Sequence, residues 1–581
     1  MSIILSDEQR FYVQTSGKVI LNACPGSGKP TTVAHKIFSL TQNWEKDYSP
    51  SAGIICISFT NVAKNEIAQK FKEINGFSLP YPHVISTIDS FINSYITLPF
   101  AHKIKNIGKR YRIIDEIDYL DKIFQSDWQL NKKFANKLYA FPPSKIDYTI
   151  DNGISWNGHD KSGDTEFTNY GKVIKKKQFD MGLLKTSDSA FFAYHILNYY
   201  PRIAKYLATK FPYLIIDEAQ DTSEIQHSIL KMLYEQGLKN IDLVGDPYQC
   251  LYQWRNASPE LFLQKLDDKE NWNGINLTEN RRSTKKIIDV FSVLRRSSEK
   301  AIVPINDMVD DLPLHIIKYD CSNYADAISK YENLCNEKEF TSNNIIVRGN
   351  TLKNSLLGKE TNYSPWQETL PYLLVESKIH LQSNEIKEAV KKVRRIIIGL
   401  LFPTFSFSEL KEAEHELKND KETNASVFNL IRGLPPFDLS ISNWTTQTQQ
   451  YLKIELELEN EPDFKIRKRN TKNGFNKDTL ANPVNRYFKK ATTYNNLPIT
   501  TIHQVKGMTF DSVFLILSEN SRGQNISLKD LSLIKDEMPN EKQRLIYVAI
   551  SRPRHLLCIG VPNSTKDNDL KKQFSDDIII I

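Results

Sequence analysis

The sequence predicts an α/β fold in which parallel sheets are covered by helices, and three observations point there. Short apolar runs rich in β-branched residues recur along the chain: VILNA before Cys24, GIICISF ending at Phe59, HVIST, YLIID ending at Asp217, NIDLVG ending at Gly245, NNIIV ending at Val347 and DSVFLIL ending at Leu517. Each run has strand length and ends in a polar turn that carries chemically capable side chains. Several are followed by helical patterns, such as NEIAQKFKEI after the turn at Thr60. Strands that alternate with helices pair in parallel, and ligands then sit at the carboxyl ends of the strands.

A chain of 581 residues is too long for one hydrophobic core, so several domains are expected. Hydrophobic residues make up 40% and charged residues 25%, the balance of a globular protein rather than a disordered one. The longest apolar runs, such as IIIGLLF at 396–402, are too short to span a bilayer, and MSIILSDEQR lacks the apolar region of a secretory signal. A cytoplasmic protein without membrane contact is therefore expected. Six cysteines without a CxxC pair indicate neither a zinc site nor a disulfide framework. The net charge of +7 is compatible with nucleic-acid binding, and the clusters Lys172–Lys177 and Lys465–Lys472 are basic enough to contact phosphates. For either cluster alone, a solvated loop weighs more.

ACPGSGKPTT, Ala23 to Thr32, resembles a phosphate-binding loop at the end of the first strand. Gly26 and Gly28 let the backbone turn its N–H groups toward phosphate oxygens, and Lys29 adds a point charge. Cys24, Pro25, Ser27, Pro30 and Thr31 complete the expected nucleotide cradle, with a helix beginning there. Two positions depart from GxxxxGK[ST]: Ala23 replaces the first glycine, and Pro30 replaces the hydroxyl that would ligate Mg²⁺. Proline is tolerated in a first helical turn. Thr31 lies about 100° around the helix from position 30 and is not expected to substitute for the lost hydroxyl. Asp217 and Glu218, after an apolar strand, provide one carboxylate for Mg²⁺ and one for the attacking water.

DEAQDTSEIQ, VGDPYQCLYQWRNA, LTENRRST, TIHQVKGMTFDSVF and EKQRLIYVAISRPRHLL resemble, in order, motifs II to VI of the superfamily 1A DNA helicases of the UvrD/Rep/PcrA type. LSDEQ resembles the family's Q motif, and ISFTN and TIDSF its next two motifs. The resemblance spans almost the whole chain. It implies two RecA-like motor domains, 1A and 2A, each with a mainly helical insertion. The expected boundaries are 1A at 1–91 and 211–279, insertion 1B at 92–210, 2A at 280–364 and 497–581, and insertion 2B at 365–496.

The same resemblance implies roles residue by residue. Gln9 would read the adenine edge with both faces of its amide, Lys29 would bind the β and γ phosphates of ATP, Asp217 the Mg²⁺ and Glu218 the hydrolytic water. Gln249 would sense the γ-phosphate, while Arg282 and Arg552 would act as arginine fingers from the second motor. Gly507 and Arg281 would complete the nucleotide site, Arg281 standing where the family has a tyrosine that stacks on adenine. Tyr252, Trp254 and Arg255 would grip single-stranded DNA by stacking and charge, with Phe59, Thr60 and His503 also on the strand. Thr509 replaces a common glutamate, and Asp89 a frequent histidine.

These roles imply an ATP-dependent translocase that moves 3′ to 5′ on single-stranded DNA and works at single-strand/duplex junctions. A second reading is a hydrolysis-impaired, ATP- and DNA-binding subunit that regulates a separate nuclease, as in Gabija-type phage defence; Pro30 and the lack of an evident nuclease domain favour it. An RNA helicase of the same superfamily is the third.

Overall fold

The computed structural model describes residues 4–581 except 115–116, 150, 152, 157–158, 162, 252–258, 306–310, 322, 358–364, 368, 383–384, 403–412, 415–416, 418–419, 467–479, 488–496, 532–536 and 575–576. By its internal contacts the chain divides into two units: Met1–Cys321 with Asn333–Ile346 and Ile502–Ile581, and Ser322–Glu332 with Val347–Thr501.

The first unit holds a wholly parallel six-stranded sheet made of β1 (Lys18–Ala23), β2 (Ile54–Ser58), β3 (Val84–Thr87), β4 (Tyr213–Asp217), β5 (Asn240–Gly245) and β6 (Asn273–Leu277). Their order is β6-β1-β5-β4-β2-β3. β2 and β4 are buried at every position because helices cover both faces, which is why they read as unbroken apolar runs rather than as alternation. The register pairs Asn22 with Gly245, Val244 with Asp217 and Asp217 with Ser58. The turns after β1, β2, β4 and β5 therefore leave the same edge of the sheet side by side.

Helices follow these turns with clear start signals. α1 (Asp7–Gln14) opens with a Ser6/Gln9 capping box, and α2 (Lys29–Gln42) starts at Gly28. α3 (Asn61–Asn75) is capped by the Thr60 hydroxyl and ends at Gly76, whose φ of 82° suits only glycine well; α4 (Glu224–Glu235) opens with a Ser223/Gln226 box.

A second parallel sheet contains β7 (Leu314–Tyr319), β8 (Asn343–Val347), β9 (Phe510–Ile516), β10 (Pro553–Pro562) and β11 (Ile578–Ile580), in the order β8-β9-β10-β7-β11. α5 (Glu541–Ile550) is buried from Gln543 to Ile550 and packs in one apolar cluster with Phe291, Val513 and Ile559. Cys24 and Tyr248, from the turns of the first sheet, join that cluster, with the Tyr248 and Tyr547 rings 5.7 Å apart.

The segment 92–210, expected to be mainly helical, does contain the helices Thr165–Asp180, Thr186–Tyr199 and Pro201–Lys210, but it also carries a small antiparallel sheet of Ile146–Tyr148, Ile154–Trp156 and His159–Asp160. KVIKKK lies on a helix rather than a solvated loop: Lys175 is buried in an ion pair with Asp188 at 2.6 Å, and Lys177 pairs with Asp127. Desolvation needs such a partner, because an unpaired buried ammonium is costly.

The second unit takes in the expected insertion at 365–496 together with 347–364. Helices Thr369–Gln382, Ile386–Leu401, Lys421–Gly433 and Ile441–Glu455 surround a core that includes Trp366, Leu374, Val393, Ile431 and Trp444. Trp366 is buried with its indole N–H donating to Thr445 Oγ1 at 2.7 Å. Of the Lys465–Lys472 cluster, Lys465 pairs with Asp463 at 3.2 Å, and 467–472 lie outside the described residues. Among the described residues no helix is long and apolar enough to cross a membrane.

Candidate functional site

The turn after β1 curls through Gly26 (φ 74°) and Gly28 (φ 77°), both left-handed. At Gly26 close approach matters as well, since a Cβ there would lie 2.7 Å from Arg282 Cβ and 2.8 Å from Asn280 Oδ1. The segment 280–283 clasps the loop: Asn280 Nδ2 donates to Pro25 O (2.7 Å) and the Arg281 N–H to Gly26 O (3.0 Å). Pro30 is the second residue of α2, where the absent N–H has no helical acceptor to miss. Thr31 lines the cavity over the loop, whereas the Thr32 hydroxyl is committed to Gly28 O at 3.0 Å.

Asp217 and Glu218 stand opposite. Asp217 Oδ2 accepts from Ser58 Oγ at 3.3 Å, while its Oδ1 is buried with no hydrogen-bond partner among the described residues. Burial first, and then the Glu218 charge, raise the Asp217 carboxyl to about 7 against the pull of Lys29. Glu218 sits at φ 54°, a left-handed conformation rare for a residue with a side chain. It accepts from Lys29 Nζ (2.8 Å) and Gln220 Nε2 (2.8 Å) and pairs with Lys506 (3.2 Å). Burial alone would raise its pKa, but Lys29 and Lys506 outweigh burial and hold the carboxyl well below the usual range. For Lys29 the balance also ends in the charged form: burial lowers it, and Glu218, Asp217 and Asp246 more than compensate.

Two arginines reach the site, Arg552 from the turn between α5 and β10 and Arg282 from the segment 280–283. Arg552, fully buried, donates Nε–H to Val548 O (2.8 Å) and Nη2–H to Gln249 Oε1 (2.7 Å), and Gln249 Nε2 in turn donates to Asp246 Oδ2 (2.8 Å). Arg282 donates to Ser551 O at 3.1 Å. Burial and then the neighbouring Arg552 charge push Arg282 down to about 9. Buried cations that repel one another favour an anion between them.

The cavity has a volume of about 520 Å³, and its lining brings together Cys24 to Thr31, Asp217, Glu218, Gln249, Arg281, Arg282, Gly507 and Arg552. Arg281 also pairs with Glu279 at 2.7 Å. Thr60 and His503, expected on a DNA strand, line this same cavity. Phe59 is half-buried against the core of the first sheet. Tyr252, Trp254 and Arg255 lie outside the described residues.

Gln9 departs from expectation. Instead of offering both amide faces, its Oε1 accepts the Ser6 N–H (2.9 Å) and its Nε2 donates to Ser27 O (3.0 Å), and it is absent from the cavity lining. Ser6-x-x-Gln9 is itself a capping-box pattern, a signal the sequence reading did not weigh. Sequence reasoning also missed Lys506, which joins Glu218 and Asp221. Its position directly before Gly507 (φ 83°) in the quoted HQVKGM stretch was the available signal.

Residues 5–270 match the family model described as the UvrD/REP helicase N-terminal domain, and residues 439–564 match the UvrD-like helicase C-terminal domain. The chain is similar to the ATP-dependent DNA helicase PcrA of Staphylococcus aureus strain Mu50, 24% identical over 658 residues that cover 99% of this chain and 87% of the relative. It is also similar to PcrA of Staphylococcus epidermidis strain RP62A, 24% identical over 625 residues, covering 96% and 83%.

Proposed function

We infer that this chain, which belongs to the UvrD-like DNA helicases, hydrolyses ATP in the cavity between its two parallel sheets and uses the cycle to step 3′ to 5′ along single-stranded DNA, displacing the complementary strand at junctions in the cytoplasm. The observation that carries this is the Arg552–Gln249 hydrogen bond: a guanidinium from the second sheet is held at the polar turn of the first, over the phosphate loop. In this reading Lys29 binds the β and γ phosphates, Glu218 orients the attacking water, and Arg282 and Arg552 stabilise charge that develops on the transferred phosphoryl group. Phe59, Thr60 and His503, with Tyr252, Trp254 and Arg255, contact the strand.

The orphaned Asp217 Oδ1 fits a divalent cation, and Mg²⁺, when bound, supplies positive charge to the phosphate oxygens. With Pro30 in the hydroxyl position, Asp217 is the protein ligand, so Pro30→Thr is expected to raise ATP turnover at least about tenfold, or about 1.4 kcal/mol of barrier. A steady-state ATPase titration with Mg²⁺ checks this; an unchanged rate means the hydroxyl is not what limits turnover.

Because Gln9 holds Ser27 rather than facing the cavity, Gln9→Ala is expected to weaken ATP and GTP binding together. Competition of both nucleotides against a fluorescent analogue measures it. A loss confined to ATP would make Gln9 an adenine reader.

Pro30 also favours a second reading, a hydrolysis-impaired ATP- and DNA-binding subunit of a nuclease complex in antiphage defence. Tight ATP binding without turnover, together with co-purification of a nuclease, would select it. Matched DNA and RNA oligonucleotides at fixed salt, compared for ATPase stimulation, test the nucleic-acid preference.

A further inference from the structure

We propose that the surface formed by the helix Pro201–Lys210 and the segment 98–112 is a second binding site for single-stranded DNA, apart from the nucleotide cavity. On the helix, Ile203, Ala204, Leu207 and Ala208 are buried, which turns Arg202, Lys205 and Tyr206 outward together. The spacing of those three is that of one helical face. Tyr199, just before the helix, is 64% exposed, and Tyr206 is 57% exposed.

The two segments are joined at Tyr200, whose hydroxyl donates to Lys103 O at 3.2 Å while Lys103 Nζ lies over its ring, 5.3 Å from the centroid. The run KRYR at 109–112 follows, with Lys109, Arg110 and Arg112 exposed. Residues 98–112 and 199–210 contain no Asp or Glu, although the chain as a whole is nearly balanced at 76 Lys and Arg against 69 Asp and Glu. A merely solvated face intersperses both signs. Among the described residues Lys103, Arg202 and Lys205 form no ion pair with a carboxylate.

Lys105 of this surface pairs with Asp180; the remaining cations match a phosphate backbone, and exposed tyrosine rings beside them match unstacked bases, which a duplex does not present. The ligand is therefore a single strand. That it is DNA rests on the helicase reading, in which unwinding yields a second single strand beside the one being tracked.

The test uses the full chain and labelled oligothymidylates, one of about 10 nucleotides, near a single site size, and one several times longer. In the triple variant Lys103→Glu, Arg202→Glu, Lys205→Glu, affinity for the long oligonucleotide is expected to fall at least about tenfold, and its salt slope by about 0.7 per cation removed. In Tyr199→Ala, Tyr206→Ala the loss is expected to be about fivefold or more. ATPase stimulation by the short oligonucleotide should persist in both. Unchanged long-strand affinity and slope in the charge variant overturn the proposal while leaving the helicase reading intact. A tyrosine variant without effect, with duplex binding falling as much as single-strand binding in the charge variant, overturns the single-strand assignment. Absence of any single-strand binding by the unaltered chain overturns both readings.

Discussion

Arg552→Ala is expected to lower ATP turnover by about 10³- to 10⁵-fold, the range over which an arginine finger acts. The side chain is fully buried and its hydrogen bonds end on Val548 O, Gln249 Oε1 and Ser551 Oγ, so removal deletes both the charge and the group that orients Gln249. Arg552→Lys keeps a positive charge but loses the planar fork that serves these acceptors, and is expected to recover only a small part of the rate. Single-turnover hydrolysis measures the loss, and thermal unfolding of each variant separates it from destabilisation. A stable Arg552→Ala protein that turns over ATP within tenfold of the unaltered chain would remove Arg552 from the reaction.

Glu218→Gln is expected to reduce turnover by about 10²- to 10⁴-fold while ATP binding persists. In the structure this carboxylate is held ionised by Lys29 and Lys506, so it is in the form that can accept a hydrogen bond from water. The amide is nearly the same size and its one oxygen can still accept from Lys29, but its NH2 cannot accept from Lys506 and it lacks the charge that activates water. Binding of a fluorescent ATP analogue should therefore change less than about tenfold while hydrolysis collapses. Loss of both together would instead assign Glu218 to binding.

Much of this architecture is legible in the sequence because the central strands of both sheets are buried on two faces. Ile54–Ser58 and Tyr213–Asp217 read as continuous apolar runs, and parallel pairing then forces Ala23, Ser58, Asp217 and Gly245 to one edge. What escaped reading depends on contacts far apart in the chain. Lys506 meets Asp221 across 285 positions, and no local pattern announces that pairing. Lys175 looks like one of several surface lysines until Asp188, on another helix, buries it. The strands of the small sheet in 146–160 are two or three residues long, too short to show an alternating period. Gln9 carries two compatible signals, a base-reading amide and a helix cap, and the structure satisfies the cap.

Coupling between the nucleotide cavity and the DNA strand is the central claim, and it is read most directly by the ATP hydrolysis rate of the unaltered chain with and without single-stranded DNA at one salt concentration. Stimulation of at least about tenfold, equivalent to about 1.4 kcal/mol of barrier, that disappears in Glu218→Gln is the predicted result. Hydrolysis that proceeds at the same rate with and without the strand would contradict it.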